Sequence, residues 1–282
     1  MQEPRTLAEY GGRETEAARR VLVDVGQVLA AYLADSIVVV GGWVPELLLR
    51  GADPPHSGSI DVDLALDAVK LQEGKYARIV ESLLATGRYE KTDKEFSLQA
   101  KVDLNDGGPV VVVKVDFLKA PGKAGRGKGE HLVPGFRPLD ANGCAAAFVN
   151  PTLLDVDGQS ITGAENTVHI LVASVPDFLV MKAHAIEGRD KPKDSYDICY
   201  CLDHFPGGME EIANNWRGRL TEKIVNDAVE HLREKFRSVK SFGPQQVVEF
   251  YASPSRDEAE QQAQRAYQLV ARFLRLIDGL ED

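Results

Sequence analysis

Two aspartates two residues apart, Asp61 and Asp63, sit in the alternating run Ile60-Asp-Val-Asp-Leu-Ala-Leu66. In an extended strand residues i and i+2 project from one face, so both carboxylates share a side that Ile60, Val62 and Leu64 avoid. Two carboxylates held near ~4 Å repel by roughly 4 kcal/mol at an effective dielectric of 20. A shared divalent cation turns that repulsion into binding. Mg²⁺ suits the arrangement, because it takes one or two carboxylates, keeps waters and shares substrate phosphate oxygens. A third acid, Asp116, interrupts the apolar run Val110-Val-Val-Val-Lys-Val-Asp-Phe-Leu118. An aspartate embedded there is costly unless it is paired, hydrogen-bonded or metal-bound. Lys114, on the same face, offers a salt bridge as the plainer explanation, and a turn or solvated face is the plainer reading of Asp61 and Asp63. If the strand of Asp116 joins the same sheet, the three acids form a triad. Asp155-Val-Asp-Gly158 repeats the spacing, but glycine follows at once and its flanks do not alternate, so a hairpin turn without chemistry is expected.

The elements that position these acids follow from periodicity. Ala17, Val21, Val25, Val28, Leu29 and Tyr32 recur at helical spacing and predict a helix over 13–34. Ser36-Ile-Val-Val-Val40 reads as a buried strand ending in the tight turn Gly41-Gly42. Trp43 to Arg50 reads as a short helix with Pro45 in its first turn, and Gly51 to Gly58 as loop. A helix over about 72–86 follows the acidic strand. Phe96–Leu104 and Val110–Leu118 flank Asn105-Asp-Gly-Gly108, the strongest hairpin signal in the chain. Later strands are poorly patterned, with Val168–Val172 the clearest. From Pro176 onward helices dominate, over 177–187, 193–203, 219–237 and 255–278, with one short strand considered at 246–251. The boundary falls near 175, dividing a catalytic domain (1–175) from a helical one (176–282).

These features carry a resemblance. Ile37-Val-Val-Val-Gly-Gly-Trp43, then Gly58-Ser-Ile-Asp-Val-Asp-Leu64, then a later strand aspartate, is similar to the DNA polymerase β-like nucleotidyltransferase superfamily. Within it the chain most resembles the abortive-infection (AbiEii-like) nucleotidyltransferase toxins, which carry a lysine and a K-x-K-D-x-x-D-like segment in a helical second half. Asp177-Phe-Leu-Val-Met-Lys-Ala-His-Ala185 and Arg189-Asp-Lys-Pro-Lys-Asp-Ser-Tyr-Asp197 match those features, and the likeness spans about 36–203. It implies an α+β fold with a nucleotidyltransferase-type mixed or antiparallel sheet, followed by an all-helical C-terminal domain closing the nucleotide cleft. Asp61, Asp63 and Asp116 would then be catalytic and hold Mg²⁺ or Mn²⁺. Gly41, Gly42, Ser59, Lys182, Lys191 and Asp197 would bind a nucleoside triphosphate. Gly42 stands where many relatives have serine, which leaves backbone N–H groups to meet the phosphates. The acceptor implied is a tRNA 3′ end, a protein hydroxyl or a small molecule, and a cognate antitoxin is a possible partner. The alternative is a catalytically idle nucleotide-sensing or partner-binding protein on the same fold.

Lys182 shares an apolar helical stripe with Phe178, Leu179 and Ile186, where an ammonium needs an anion. A triphosphate would supply one, and Asp177 or Glu187 is the structural alternative. Lys191 and Lys193 read as more exposed, Asp194 as a helix cap, and Asp197 as an acid holding Lys182 or Lys191. His56 reads as a solvated loop residue. His184 has no second histidine at zinc-ligand spacing.

Composition sets the outer limits. Hydrophobic residues make up 44% and charged residues 27% of 282, which is globular. The longest apolar runs are far short of the ~20 residues of a membrane span. Three cysteines form no disulfide framework. Met-Gln-Glu-Pro-Arg lacks a secretory signature, so a cytoplasmic location is expected. A formal charge of -10 argues against wrapping extended duplex DNA. One basic, glycine-rich stretch over 119–137 (Lys119, Lys123, Arg126, Lys128 and Arg137, against Glu130) suits a small nucleotide or one RNA end.

Overall fold

The computed structural model describes residues 4–33, 35–67, 70–71, 75–122 and 136–280. Lys123, Arg126, Lys128 and Glu130, the centre of the basic stretch, lie outside the described residues.

The chain divides into two units. The first comprises 11–43 and 58–174, and the second 1–10, 44–57 and 175–282. The division at 174/175 lies beside the break in sequence character, but two N-terminal segments, read from sequence as catalytic-domain residues, join the helical unit. Each unit is described by itself.

In the first unit, β-branched runs must pair their backbone N–H and C=O groups, and they do so in one mixed sheet. Its strands are β1 (Ile37–Val40), β2 (Val62–Leu66), β3 (Tyr89–Lys91), β4 (Ser97–Val102), β5 (Val111–Lys119), β6 (Leu139–Asp140), β7 (Thr152–Gln159) and β8 (Glu165–Val172). The order across the sheet is β3-β4-β5-β2-β1-β8-β7, with β6 beside β5. β2 and β5 run parallel, as do β1 and β8, whereas β1–β2, β4–β5 and β7–β8 are antiparallel. The expected hairpin around Asn105-Asp-Gly-Gly108 is therefore β4–β5.

The helices begin with α1 (Gly12–Val28), α2 (Ala30–Leu33), α3 (Trp43–Leu48), which from Val44 onward belongs to the second unit, and α4 (Lys75–Ala85). The single helix expected over 13–34 is interrupted at Leu29. α1 lies on the sheet and buries Ala17, Ala18, Val21, Leu22 and Val25. Gly26 lets it approach β8 closely, because a Cβ there would meet Val168 at 2.8 Å. Asp24, on the same helix, is buried and accepts hydrogen bonds from the Tyr89 hydroxyl at 2.8 Å and from Arg88 Nε at 3.1 Å.

The second unit is helical: α5 (Val175–Gly188), α6 (Pro192–His204), α7 (Gly208–Arg217), α8 (Lys223–Lys235), α9 (Phe242–Tyr251) and α10 (Arg256–Ile277). Trp216 of α7 is fully buried, and its indole N–H donates to the Pro176 carbonyl at 3.0 Å.

Three sequence expectations are corrected. The strand considered at 246–251 is the second half of α9, whose buried residues Gly243, Pro244, Val247 and Phe250 keep helical spacing. Asp155 and Asp157 lie inside β7 and not in a turn, and their exposed side chains pair across the hairpin with His169 and Thr167. The helix expected over 219–237 is α8 alone, and α7 before it was not anticipated. Among the described residues no helix is long and apolar enough to cross a membrane.

Asp24→Ala strips Tyr89 and Arg88 of their shared acceptor. It is expected to lower stability by about 1–3 kcal/mol, read from equilibrium urea unfolding, with Tyr89→Phe milder.

Candidate active site

The alternation that buries Val62 and Leu64 turns Asp63 to the opposite face of β2, and the same holds for Asp116 between Val115 and Phe117 on β5. Parallel pairing sets Asp63 directly beside Asp116. The structure thus brings these two acids together on one face, half-buried, while the apolar face beneath them is closed. Asp61 precedes β2. Its carboxylate accepts from Ser59 Oγ at 2.9 Å, and its carbonyl accepts from the Trp43 indole at 2.7 Å. Ser59, expected to meet nucleotide, is itself buried and holds Asp61.

The turn after β1 closes the other flank. Val40 pairs with Asp63, and Gly41 follows with φ +67°. A Cβ on Gly41 would lie 2.0 Å from Asp63 Oδ2, so the carboxylate rests against the bare backbone of the turn. Gly42 follows and is buried. Only glycine combines this left-handed backbone with so close an approach.

Asp116 is fixed from β4. Ser97 pairs with it in register and donates its hydroxyl at 2.5 Å. Burial pushes the Asp116 carboxyl above its usual range. The Ser97 bond opposes that, the charge of Asp61 adds to it, and Lys114 and Lys94 oppose it. The sequence offered no sign of Ser97, since its contact depends on strand register alone. The salt bridge considered between Asp116 and Lys114 is absent: among the described residues Lys114 makes no ion pair.

Among the described residues no three His, Cys, Asp or Glu side chains form a ready-made metal cluster. The donor chemistry nevertheless fits a hard divalent cation, being all oxygen. Asp116 feels the charge of Asp61, and Asp63 adjoins Asp116 in register.

In the helical unit, Lys182 is buried with its ammonium 2.6 Å from Asp194 and 2.7 Å from Asp197. The anion it requires comes from these two acids. Asp177 pairs instead with Arg219, and Glu187 with Lys235. Arg189 adds two bonds to Asp194, at 2.7 and 2.9 Å. Lys193 is buried rather than exposed and lies 2.7 Å from Asp197, one helical turn on. His56 is likewise buried rather than solvated, 2.9 Å from Asp197 and packed against the rings of Tyr196 and Tyr200. Lys191, half-exposed, occupies the N-cap position of α6 expected of Asp194, with no cap bond from its side chain.

Burial works against both acids' charge. Lys182 and Arg189 still hold Asp194 below the usual carboxylate range, and Lys182 with Lys193 holds Asp197 well below it. Burial also pulls the Lys193 ammonium down, outweighing Asp197 beside it. His184 is edge-on to His231 with ring centroids 5.0 Å apart, and its Nε2 is bonded to the Ile224 carbonyl at 2.8 Å.

Comparison with known proteins shows the family. Residues 28–275 match the family model described as nucleotidyl transferase AbiEii toxin, type IV toxin–antitoxin system. The chain is a nucleotidyltransferase. It belongs to the AbiEii toxin family. Similar solved structures include an antigenic nucleotidyltransferase-like protein from Paracoccidioides brasiliensis, at 17% identity and TM-score 0.43, covering 78% of this chain and 89% of that one. JHP933 from Helicobacter pylori is similar at 10% identity and TM-score 0.42, covering 95% of each chain. No curated protein sequence matches significantly.

Lys182→Met leaves two buried carboxylates short of a counter-charge. A loss of about 3–5 kcal/mol is expected in urea unfolding. Because Asp194 and Asp197 titrate below their unfolded values, their contribution is present above about pH 4 and lost as pH falls through the folded values. Removing Lys182 raises both, so acid unfolding followed by circular dichroism is expected to begin at higher pH in the variant.

Proposed function

We propose that the chain transfers a nucleoside monophosphate from a nucleoside triphosphate to a hydroxyl of an RNA end, with a tRNA 3′ terminus as the acceptor. The observation that carries this reading is the register of Asp63 with Asp116 on one sheet face, beside Asp61 and against the Gly41 turn. Asp61, Asp63 and Asp116 would hold Mg²⁺ or Mn²⁺, which when bound supplies positive charge to the reacting phosphates.

The chain's own groups account for the rest. Backbone N–H groups of the Gly41-Gly42 turn donate to phosphate oxygens, a use of consecutive amides that needs no side chain. Ser59 and Trp43 keep Asp61 from rotating away from the face, and Ser97 does the same for Asp116. Asp116 orients the acceptor hydroxyl and takes its proton. The hydroxyl oxygen bonds to the α-phosphorus, the bond from that phosphorus to the bridging oxygen breaks, and pyrophosphate leaves. Lys182 and Asp197 belong to the buried ion network of the helical unit. The family implies an antitoxin partner, and the proposal includes one.

Incubation of the protein with each [α-³²P]-labelled triphosphate, Mg²⁺ and bulk tRNA tests this. Labelled tRNA is expected with wild type, and Asp63→Asn should reduce labelling by about 10³-fold or more while the thermal melt stays close to wild type. EDTA should abolish labelling and added Mg²⁺ restore it. Label on protein or on a small molecule would replace the acceptor. Tight triphosphate binding with no pyrophosphate release, across every acceptor tried, would mean an idle nucleotide-binding protein.

A further inference from the structure

The face that carries the three acids continues across β5 onto β4 and β3, where lysines gather. Lys101 of β4 reaches Glu90 of β3 at 3.3 Å, and Gln99 donates to the same carboxylate at 2.8 Å. Lys114 stands opposite Gln99, half-buried, and among the described residues it forms no ion pair. Extending the β2–β5 register by one residue puts it level with Asp61. Lys94, in the loop before β4, has no ion pair among the described residues either, and its ammonium lies over the Phe96 ring at 5.6 Å from the centroid. Both ammonium groups act on Asp116 through space and neither bonds to it.

Topology gives these lysines a direction. Across the sheet the order is β4, β5, β2, β1. The Gly41-Gly42 turn, at the end of β1, lies on one side of Asp61 and Asp63; Lys114, on the same strand as Asp116, and Lys94, in the loop before β4, lie on the other. A triphosphate held by the glycine turn and by Asp61 and Asp63 occupies the first side. The acceptor hydroxyl, at Asp116, must enter from the second. The half-buried Lys114 gains most from a partner with fixed negative charge, such as a phosphodiester, and the exposed Lys94 adds a second positive charge nearby.

We propose that Lys114 and Lys94 form an acceptor subsite that grips the phosphodiester preceding the terminal hydroxyl of an RNA strand. This rests on the reading of Asp61, Asp63 and Asp116 given above. The subsite selects acceptors that carry a phosphate next to the reacting hydroxyl. It makes no bond to the incoming triphosphate.

The test is steady-state labelling of bulk tRNA by Lys114→Gln, Lys94→Gln, the double variant and Lys114→Arg, each checked for folding by circular dichroism. The double variant is expected to raise KM for tRNA about tenfold or more, with KM for the triphosphate unchanged. The slope of log(kcat/KM) for tRNA against log[salt] should flatten by about 0.7 for each phosphate that is no longer neutralised. Lys114→Arg should retain most of the wild-type affinity. An unchanged tRNA KM and salt slope in the double variant, with Asp63→Asn inactive, would overturn the subsite and leave the acidic site standing. A raised triphosphate KM alone would also overturn it, by placing the lysines on the donor side. Undiminished labelling by Asp63→Asn would instead remove the reading on which the subsite rests.

Discussion

Like charges on neighbouring strands resist being placed side by side. Parallel strands lie about 4.8 Å apart, and Asp116 feels the charge of Asp61 from the neighbouring strand. Asp63 and Asp116 are held in that relation because the opposite face leaves no freedom. Val62, Leu64, Val113, Val115 and Phe117 are fully buried, and a one-residue slip of either strand would send its share of them into water. The apolar core therefore fixes the position of the acids. Ser97, Ser59 and Gly41 then limit where each carboxylate can point.

The helical unit solves a different electrostatic problem. It buries two carboxylates and two lysines completely enough that each ion depends on the others. Removal of any one leaves an uncompensated charge, which is costlier than the intact set. Such a network fixes the relative placement of α5 and α6, because Lys182 comes from one helix and Asp194 and Asp197 from the other. His56 extends it to the loop that leads toward the acidic strand.

Local pattern made the acids legible: strict alternation around Asp61 and Asp63, and one polar intrusion at Asp116. The strands, the glycine turn and the hairpin were visible for the same reason. What escaped depends on partners distant in sequence. His56 and Asp197 are 141 residues apart, and Asp24 and Tyr89 are 65 apart, so nothing near His56 or Asp24 marks them as buried. Lys193 looked solvent-bound because a lysine beside proline and aspartate usually is, and only the assembled helices enclose it. The aspartates of β7 misled in the opposite sense: a glycine that pairs normally within an edge strand looks identical, in one sequence, to a glycine that turns. The family match spans both the acidic strand and the lysine helix.

The chain passes from one unit to the other four times, after residues 10, 43, 57 and 174. Neither unit is thus an uninterrupted stretch of polypeptide. A cut at 174 would free the six long helices but strand the segment bearing Glu46 and His56 on the other fragment. During synthesis, residues 44–57 emerge well over a hundred residues before the helices that receive them, so their native surroundings arrive only late. Gene fusions or shuffling that exchanged the C-terminal half alone would break this inserted piece away from its hosts, which ties the two halves to a shared evolutionary fate.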